Sequence, residues 1–535
     1  MPCRGVWGMV TSGNERPLRA RLRALALACA AAMVLVSGAL RPAPARADAA
    51  SEAAAAKVFG EVSGNAARLR MFLQAMPKGG DLHNHLSGGI YAEDFLDAAA
   101  ARGMCADETG GRIVPPPCPP ERLIANLAQH KPFAYAHLVD SLSTRGYQRG
   151  VGADEASGHT QFFSSFDKFS PAYGADIGRW LAVARADAAR DHVSYLELMH
   201  DPPALTDYAI AGGDAPLGET GLAAMYAREI GKVRGVLGQA MAQVDDEEAR
   251  ARTLLACGSK DAAPGCGVAV HYLAFGWRGM PPAAVFRSLM ASFALAQRDP
   301  RFVGVNIVMP EDDPVALRDY RLHMAMFRFL EAKYPGVKVS MHAGELTLGL
   351  VPPEDLRDHI ALAVASGADR IGHGTDIAYE DDAPETLARM ARDRIAVEVN
   401  LTSNAVILGV KGGEHPLALY RSMGVPVVLS TDDAGVLRSD MTNEYRRAVM
   451  EQGLGYADLK DLARASLEYS FVPGASLWKD GKLGSAVPAC AASLTGTRCR
   501  TFLAASEKAR LQADLEGRFD RFEHALGRFH NPQGS

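Results

Sequence analysis

The sequence predicts a (β/α)8 barrel of the TIM type, with a helical insertion after the first strand and extra helices at the C-terminus. Short runs rich in valine, isoleucine and leucine recur eight times, and stretches with helical spacing of apolar residues separate them. Parallel strands that are buried on both faces have this near-continuous apolar character, and eight strand–helix units close into a barrel. The predicted strands are residues 80–86, 193–199, 267–275, 302–308, 337–342, 370–373, 395–401 and 425–431.

Histidine and acidic residues stand at the C-terminal ends of several predicted strands. A lone histidine is more often a surface or core residue, but recurrence at the same end of several strands reverses that expectation. Because the active site of such a barrel forms at the carboxyl ends of its strands, these side chains are expected to meet. They are His83 and His85 on the first strand, His342 and Glu345 at the fifth, His373 at the sixth, and Asp432 and Asp433 after the eighth.

Two regions exceed a minimal barrel. The first is an insertion at about residues 101–190, which we expect to be helical and to cover the site, although a packed satellite core fits the pattern equally well. The second is residues 503–529, where leucine and phenylalanine recur at helical spacing. This pattern predicts a helix packed on the barrel, with a dimer contact as the alternative, and it leaves the oligomeric state open.

The N-terminus has the order of a secretory signal peptide. Several arginines precede an apolar run at residues 24–40, and an Ala-Arg-Ala sequence ending at Ala47 follows it. We therefore assign residues 1–47 to a signal peptide and residues 48–535 to a single barrel domain. An uncleaved anchor is the alternative, but the run is shorter than the roughly 20 residues of a membrane span. The mature protein is expected to be periplasmic or secreted, without stable membrane association.

Six cysteines lie beyond the signal peptide, and they form three pairs that are close in sequence. An oxidising compartment would convert these pairs into short-loop disulfides, and free buried thiols are the alternative. No pair has the Cys-x-x-Cys spacing, so a cysteine zinc site or a redox dithiol is not expected. The predicted pairs are Cys105 with Cys118, Cys257 with Cys266, and Cys490 with Cys499.

The charge distribution gives no sign of a nucleic-acid partner. The formal net charge is −5 at pH 7, and the basic and acidic residues are interspersed. Nucleic-acid-binding domains usually show a basic patch or stripe, which this chain lacks. The partner we expect is therefore a small molecule.

The strand-end residues match the donor set of a catalytic zinc ion. Such a site usually has three protein ligands and a position that is open to water. The imidazoles of His83, His85 and His342 would supply three ligands, and Asp432 would add a carboxylate. We predict one zinc ion per chain, whose bound water loses a proton near neutral pH and attacks the substrate. His373 is expected to orient that water or to take its proton.

A carboxyl group follows the fifth strand at a position suited to acid catalysis. Glu345 lies three residues beyond His342, and Gly344 allows the backbone to turn toward the substrate. We expect Glu345 to protonate a ring nitrogen next to the attacked carbon, which requires burial to raise the pKa of its carboxyl group. Asp433 would hold another ring nitrogen.

Six motifs follow one another in a fixed order along the chain. They are His-x-His-Leu at 83–86, Val-Ser-Tyr-Leu-Glu at 193–197, His-Ala-Gly-Glu at 342–345, Arg-Ile-Gly-His-Gly at 370–374, Glu-Val-Asn at 398–400 with Ser403 and Asn404, and Ser-Thr-Asp-Asp at 430–433. This set resembles the adenosine deaminase family of the metal-dependent amidohydrolases, as an exported bacterial-type member. Cysteine-ligated zinc deaminases need a Pro-Cys-x-x-Cys motif, which is missing here.

The resemblance implies hydrolysis of adenosine or 2′-deoxyadenosine to inosine or 2′-deoxyinosine and ammonia. It gives the same metal ligands, and it makes Glu345 the proton shuttle, His373 the residue that orients the attacking oxygen, and Asp433 a purine contact. Further residues of the motifs are expected to support these groups rather than touch the substrate. They are Asp81, Tyr195, Glu197, Ser403 and Asn404.

Two departures from the family pattern concern substrate recognition. Ser87 stands where the family commonly has an acidic residue that reaches the sugar, and Met309 stands where the family has a glycine whose N–H meets the purine. We predict substrate contacts at both positions. Adenine, AMP or another adenosine derivative therefore remain alternative substrates. A secreted nucleoside-binding protein without catalysis and a barrel hydrolase of amides or esters are the alternatives of other classes.

Overall fold

Eight parallel strands form a closed barrel within the residues that the structure describes, and each pairs with its neighbour in chain order. The two end strands close the ring, because the Asp432 N–H donates to the His83 carbonyl over 2.8 Å and the His85 N–H donates to the Asp432 carbonyl over 3.2 Å. The predicted (β/α)8 barrel is therefore confirmed.

The strands lie where the apolar runs predict them, with small differences at their ends. The predicted strand at 395–401 ends at Val399, because Leu401 already begins a helix. Strands β2 and β3 form a separate antiparallel hairpin, and the others form the barrel. In chain order the strands are β1 (Gly79–His85), β2 (Cys105–Asp107), β3 (Arg112–Val114), β4 (Val193–Met199), β5 (Ala269–Trp277), β6 (Phe302–Val308), β7 (Lys338–Ala343), β8 (Arg370–His373), β9 (Ala396–Val399) and β10 (Val427–Leu429).

Helices connect the strands and cover the outside of the barrel. The helices of the described residues are α1 (Ala49–Val62), α2 (Ala66–Ala75), α3 (Ala92–Ala101), α4 (Ile124–His130), α5 (Pro132–Ser141), α6 (Gly158–Tyr173), α7 (Ile177–Arg190), α8 (Pro203–Ala211), α9 (Leu222–Leu254), α10 (Pro282–Arg298), α11 (Pro314–Glu331), α12 (His359–Ala365), α13 (Ala383–Asp393), α14 (Leu401–Ile407), α15 (Leu417–Ser422), α16 (Met441–Gln452), α17 (Tyr456–Glu468), α18 (Thr497–Ala504) and α19 (Glu507–His530). Because these helices shield the sheet, every residue of β4 is buried.

The computed structural model describes residues 49–147, 150–152 and 156–530. The assigned signal peptide at residues 1–47 lies outside them, so that assignment stays a prediction. Among the described helices, none combines the length and the apolar character that crossing a lipid bilayer requires. The three predicted cysteine pairs are disulfide-bonded: Cys105 with Cys118, Cys257 with Cys266, and Cys490 with Cys499.

The segment between β1 and β4 is mainly helical and reaches over the carboxyl ends of the barrel strands. At the start of α6, His159 Nε2 lies 3.1 Å from Asp312 Oδ1, in the loop that follows β6. The same helix contacts α14, which follows β9. On its other side, Phe169 stacks on Phe95 of α3 with ring centroids 4.6 Å apart. The segment therefore covers the strand ends, and its buried apolar residues are continuous with the main hydrophobic core of the barrel.

The C-terminal region forms two helices instead of the single helix predicted over 503–529. Helix α18 ends at Ala504 and α19 begins at Glu507. The Ser506 side chain explains the break, because its hydroxyl oxygen accepts the Ala509 N–H over 3.1 Å and so caps the new helix. Helix α19 then packs against α1 and α17 on the outside of the barrel.

Candidate active site

Four side chains from three strand ends converge at the centre of the barrel mouth. The Nε2 atom of His342 lies 3.0 Å from that of His83 and 3.2 Å from that of His85. Asp432 Oδ1 is 3.4 Å from His83 Nε2 and 3.3 Å from His85 Nε2. Atoms bound about 2.1 Å from a tetrahedral ion stand roughly 3.4 Å apart, so the four donors already have the spacing of a coordination shell.

Hydrogen bonds on the far side of two rings determine which nitrogen faces this cluster. Asn306 Oδ1 accepts the backbone N–H of Ile307 and of His342, so it is an oxygen, and His342 Nδ1 at 2.9 Å must donate to it. His83 Nδ1 lies 2.6 Å from the Glu398 carboxylate. With hydrogen on both Nδ1 atoms, two Nε2 lone pairs face each other, an arrangement that a cation stabilises. The residues present therefore fit a metal ion.

Without a cation, a proton occupies part of this space. Burial lowers the pKa of His83, but hydrogen bonds and charge from Asp432 and Glu398 outweigh burial and raise it to about 10. Burial alone would raise the pKa of Asp432, yet the hydrogen bonds from His83 and His85 hold it well below its usual value. For His342, burial and the neighbouring histidines lower the pKa well below 6.5. A metal ion therefore competes with one proton for the site.

A chain of buried charges supports His83 from inside the barrel. Glu398 accepts hydrogen bonds from His83, from Ser340 over 2.9 Å and from Arg370. The same Arg370 donates over 2.6 Å to Glu197, which also accepts from the Tyr195 hydroxyl over 2.8 Å. Burial opposes ionisation, but this pairing raises the pKa of Arg370 and lowers that of Glu398, so both keep their charge although they are buried. Tyr195 and Glu197 thus support the cluster only through Arg370 and Glu398.

Glu345 lies beside the donor cluster and carries a strongly perturbed carboxyl group. Its Oε1 atom is 3.6 Å from His373 Nε2, and the residue is 7% exposed. Burial and the negative charges of Asp432 and Glu311 raise the pKa of Glu345 well above its ordinary value. A raised pKa favours the protonated form of the carboxyl group, which can then act as a proton donor.

The turn that carries Glu345 is held by a second carboxylate, Glu311. It accepts the Gly344 N–H over 3.2 Å, the Glu345 N–H over 2.9 Å and a hydrogen bond from His359 Nδ1 over 2.6 Å. Burial opposes its ionisation, but Arg278 and His359 lower the pKa of Glu311 to about 2. The sequence pattern gave Glu311 no role in the site and did not identify Arg278 or His359, because no local spacing links these residues.

Several site residues have positive φ angles, a backbone conformation that residues other than glycine usually avoid. Met309, His373 and Asp432 have φ values of 86°, 68° and 59°, and Gly344 has 72°. Such residues cost on the order of 1–3 kcal/mol each and cluster at functional sites. The Met309 side chain lies over Gly279, where an added Cβ would stand 2.8 Å from Met309 Cε.

Asp433 and the turn after β1 are packed directly on each other. A Cβ on Gly88 would stand 1.6 Å from Asp433 Oδ1, so only glycine fits there. Burial and the adjacent Asp432 raise the pKa of Asp433 well above its ordinary value. Its Oδ1 atom is buried with no hydrogen-bonding partner among the described residues. Ser87 lies in the same turn and is half-buried.

Three supporting residues have distinct contacts. Ser403 Oγ donates to Asp432 Oδ2 over 2.7 Å and so orients a donor of the cluster directly. Asn404 contacts His373 Nδ1 at 2.8 Å. Asp81 accepts a hydrogen bond from the Thr431 hydroxyl over 2.5 Å and so stabilises the junction between the first and last barrel strands, without contacting the donor cluster.

The family model and the most similar relatives identify the same family of deaminases. Residues 158–477 match the family model described as adenosine deaminase. An aminodeoxyfutalosine deaminase of Streptomyces coelicolor is 39% identical over 132 residues, which is 24% of this chain and 32% of that protein. An adenosine deaminase of Shewanella loihica is 33% identical over 145 residues, 27% and 41% of the two chains. An adenine deaminase of Sinorhizobium medicae is 30% identical over 222 residues, 41% and 62% of the two chains.

The chain thus matches between about one third and three fifths of the length of these relatives. Among solved structures, the Arabidopsis N6-mAMP deaminase is 19% identical with a TM-score of 0.48, over 75% of this chain and 96% of that one. A zinc-bound amidohydrolase from Burkholderia ambifaria is 18% identical with a TM-score of 0.48, over 86% and 94%. Because the family model matches more than half of the sequence, this protein belongs to the adenosine deaminase family.

Proposed function

We propose that the protein hydrolyses the 6-amino group of adenosine or 2′-deoxyadenosine and releases inosine or 2′-deoxyinosine with ammonia. The observation that carries this proposal is the buried carboxyl group of Glu345, whose pKa is raised, beside a four-donor cluster that is followed in the chain by buried Asp433. A proton donor, a site for water and a ring-nitrogen contact are what deamination of an aminopurine requires.

We assign one zinc ion per chain to His83, His85, His342 and Asp432. The spacing of the four donor atoms and the facing lone pairs of two imidazoles support this assignment. When bound, zinc lowers the pKa of a coordinated water to about 7 and so supplies a nucleophile at neutral pH. The surrounding protein residues then bind the purine and move its protons.

Glu345 and His373 have different roles in the attack on the reacting carbon. The Glu345 carboxyl group gives its proton to the ring nitrogen next to C6, which makes that carbon electrophilic as the water oxygen adds. His373 holds the attacking oxygen, because its Nε2 lies 3.6 Å from Glu345 and 3.9 Å from Asp432 Oδ2. The ionised Glu345 carboxylate then takes the hydrogen of the added oxygen and passes it to the amino group, the bond from C6 to that nitrogen breaks, and ammonia leaves. The proton that the water lost before the attack returns to Glu345, so water and substrate account for every atom of the products.

Asp433 positions the purine ring. Burial and the adjacent Asp432 raise the pKa of its carboxyl group, which favours the protonated form, and its unpartnered Oδ1 atom is available to an unprotonated ring nitrogen. We place Gly344, Met309 and Ser87 along the substrate, with the Gly344 backbone fixed by Glu311. We also propose that the protein works outside the cytoplasm, which the three disulfides support.

Adenine and AMP are the competing substrates, and a relative named as an adenine deaminase makes adenine worth testing. The test measures the absorbance change on deamination by the purified, zinc-loaded protein with adenosine, 2′-deoxyadenosine, adenine and AMP in parallel. We expect the highest kcat/KM with the nucleosides and loss of turnover on chelation. A kcat/KM with free adenine equal to that with adenosine would contradict a ribose-dependent site. If the zinc-loaded protein deaminates none of the four compounds, the proposed activity is wrong.

A further inference from the structure

A buried histidine outside the donor cluster has its hydrogen position dictated by the backbone. His415 is 3% exposed, and its Nδ1 accepts the Leu417 N–H over 3.1 Å. A nitrogen that accepts a hydrogen bond carries no hydrogen, so His415 is a neutral imidazole with its single hydrogen on Nε2. The low pKa of about 3 that burial gives His415 is consistent with this. The Nε2–H of His415 is therefore a donor.

The donor on His415 determines how the Asn404 amide is turned. Asn404 lies between two imidazoles, with one amide atom 2.8 Å from His415 Nε2 and the other 2.8 Å from His373 Nδ1. An amide nitrogen facing His415 would place two donors against each other, whereas an oxygen there accepts the Nε2–H. With its oxygen toward His415, Asn404 presents its NH2 group to His373.

The hydrogen of His373 follows from that orientation. Its Nδ1 accepts from the Asn404 NH2 group, so the ring is neutral and its hydrogen sits on Nε2. The side-chain amide of Asn400 is consistent with a hydrogen on His373 Nε2. As placed, its Oδ1 atom is buried with no partner among the described residues, while its Nδ2 lies 3.4 Å from His373 Nε2. With the Asn400 amide turned by 180°, an oxygen and not an NH2 group lies 3.4 Å from Nε2, so Asn400 is compatible with a hydrogen on Nε2 and leaves it available to the attacking oxygen.

We propose that His415 and Asn404 are positioning residues that fix His373 as the Nε2–H tautomer. In this form His373 donates a hydrogen bond into the space between Glu345 Oε1 and Asp432 Oδ2, at 3.6 and 3.9 Å. It therefore holds the attacking oxygen as a donor and does not remove a proton from it, since neither ring nitrogen is free to accept one. The tautomer itself rests only on the hydrogen bonds, and its role rests on the proposed function.

The test is 15N NMR of the zinc-loaded protein with ring-labelled histidine, with His373 assigned through the His373→Gln variant. We expect His373 to carry hydrogen on Nε2 in the parent protein. In Asn404→Asp, a carboxylate accepts from both neighbours, so the hydrogen of His373 should move to Nδ1 while zinc content stays the same. Supporting residues of metal sites typically contribute 10- to 100-fold to activity, so we expect kcat to fall by about that factor with KM little changed.

Two substitutions of His415 separate positioning from packing. His415→Gln keeps an N–H that points at Asn404, so it should keep the Nε2–H tautomer of His373 and most of kcat. His415→Leu fills the space without a donor, so a mixture of tautomers is expected. His323→Gln, a buried histidine outside the donor cluster and not linked to Asn404, is the matched control. Hydrogen on Nδ1 of His373 in the parent protein, or an unchanged tautomer in Asn404→Asp, would overturn the inference whatever the substrate proves to be.

Discussion

Glu311→Gln is the substitution whose effect follows most directly from the structure. The Glu311 carboxylate receives the Gly344 N–H, the Glu345 N–H and His359 Nδ1, and it lies 3.4 Å from Arg278 Nη1. Glutamine offers one oxygen and no charge, so at least one of these donors faces an NH2 group. The substitution is therefore expected to loosen the turn that carries the proton donor and to leave the Arg278 charge without its partner.

The magnitude can be worked out from the pKa of Glu311. Its fall from 4.5 to about 2 corresponds to about 3 kcal/mol of folding free energy at 1.36 kcal/mol per unit. Loss of one partner from a buried ion pair costs about 3–5 kcal/mol, which agrees. Because the folded-state pKa of this carboxyl group is depressed, its contribution is complete above pH 4.5 and is lost as the pH falls toward 2.

The assay is urea unfolding of the parent, Glu311→Gln and Glu354→Gln proteins at neutral pH and at successively lower pH. Glu354 is an exposed glutamate in the segment that follows β7 and serves as the matched control. We expect Glu311→Gln to lower the free energy of unfolding by about 3 kcal/mol at pH 7, to narrow that gap below pH 4, and to reduce kcat. A difference below about 1 kcal/mol at pH 7, or a gap independent of pH, would refute the reasoning.

Three further predictions concern the donor cluster and the purine contact. Gly88→Ala places a Cβ 1.6 Å from Asp433 Oδ1, so KM should rise without loss of zinc. Gly231→Ala is the control, because Gly231 has open space around it and the variant should match the parent protein. An unchanged KM in Gly88→Ala would argue against the purine contact of Asp433. Glu398→Gln should weaken zinc binding by roughly 10- to 100-fold in chelator competition, and retained affinity would contradict its support of His83. Because the pKa of His83 is about 10 in the metal-free site, zinc binding at pH 7 should release about one proton. Calorimetry in buffers of different ionisation enthalpy measures this release. If no proton is released, His83 is not protonated in the metal-free protein.

The barrel and its donor set could be predicted because both leave local marks in the sequence. A strand buried on both faces needs mainly apolar residues, and β6 and β10 have them regardless of their partners. The site of such a barrel lies at the strand ends, so His83, His342 and Asp432 could be placed together from their positions alone. The structure brings these residues within hydrogen-bonding distance or close to it.

Contacts between distant parts of the chain could not be predicted in the same way. Glu311 reaches across 48 residues to His359, and Asn404 connects His373 to His415 over separations of 31 and 11 residues. Such pairs have no fixed spacing, because helices and loops of variable length separate the strand ends. The start of α19 at Glu507 was also missed, since it depends on a single hydroxyl cap at Ser506 rather than on the apolar pattern.

The most direct test of the account compares Glu345→Gln with Glu354→Gln and the parent protein in zinc content, nucleoside binding and turnover of adenosine. All three proteins should bind one zinc ion and should bind inosine with similar affinity, while kcat of Glu345→Gln alone falls by about 100-fold or more. Turnover by Glu345→Gln near that of the parent would contradict the central claim that the buried carboxyl group of Glu345 is the proton donor.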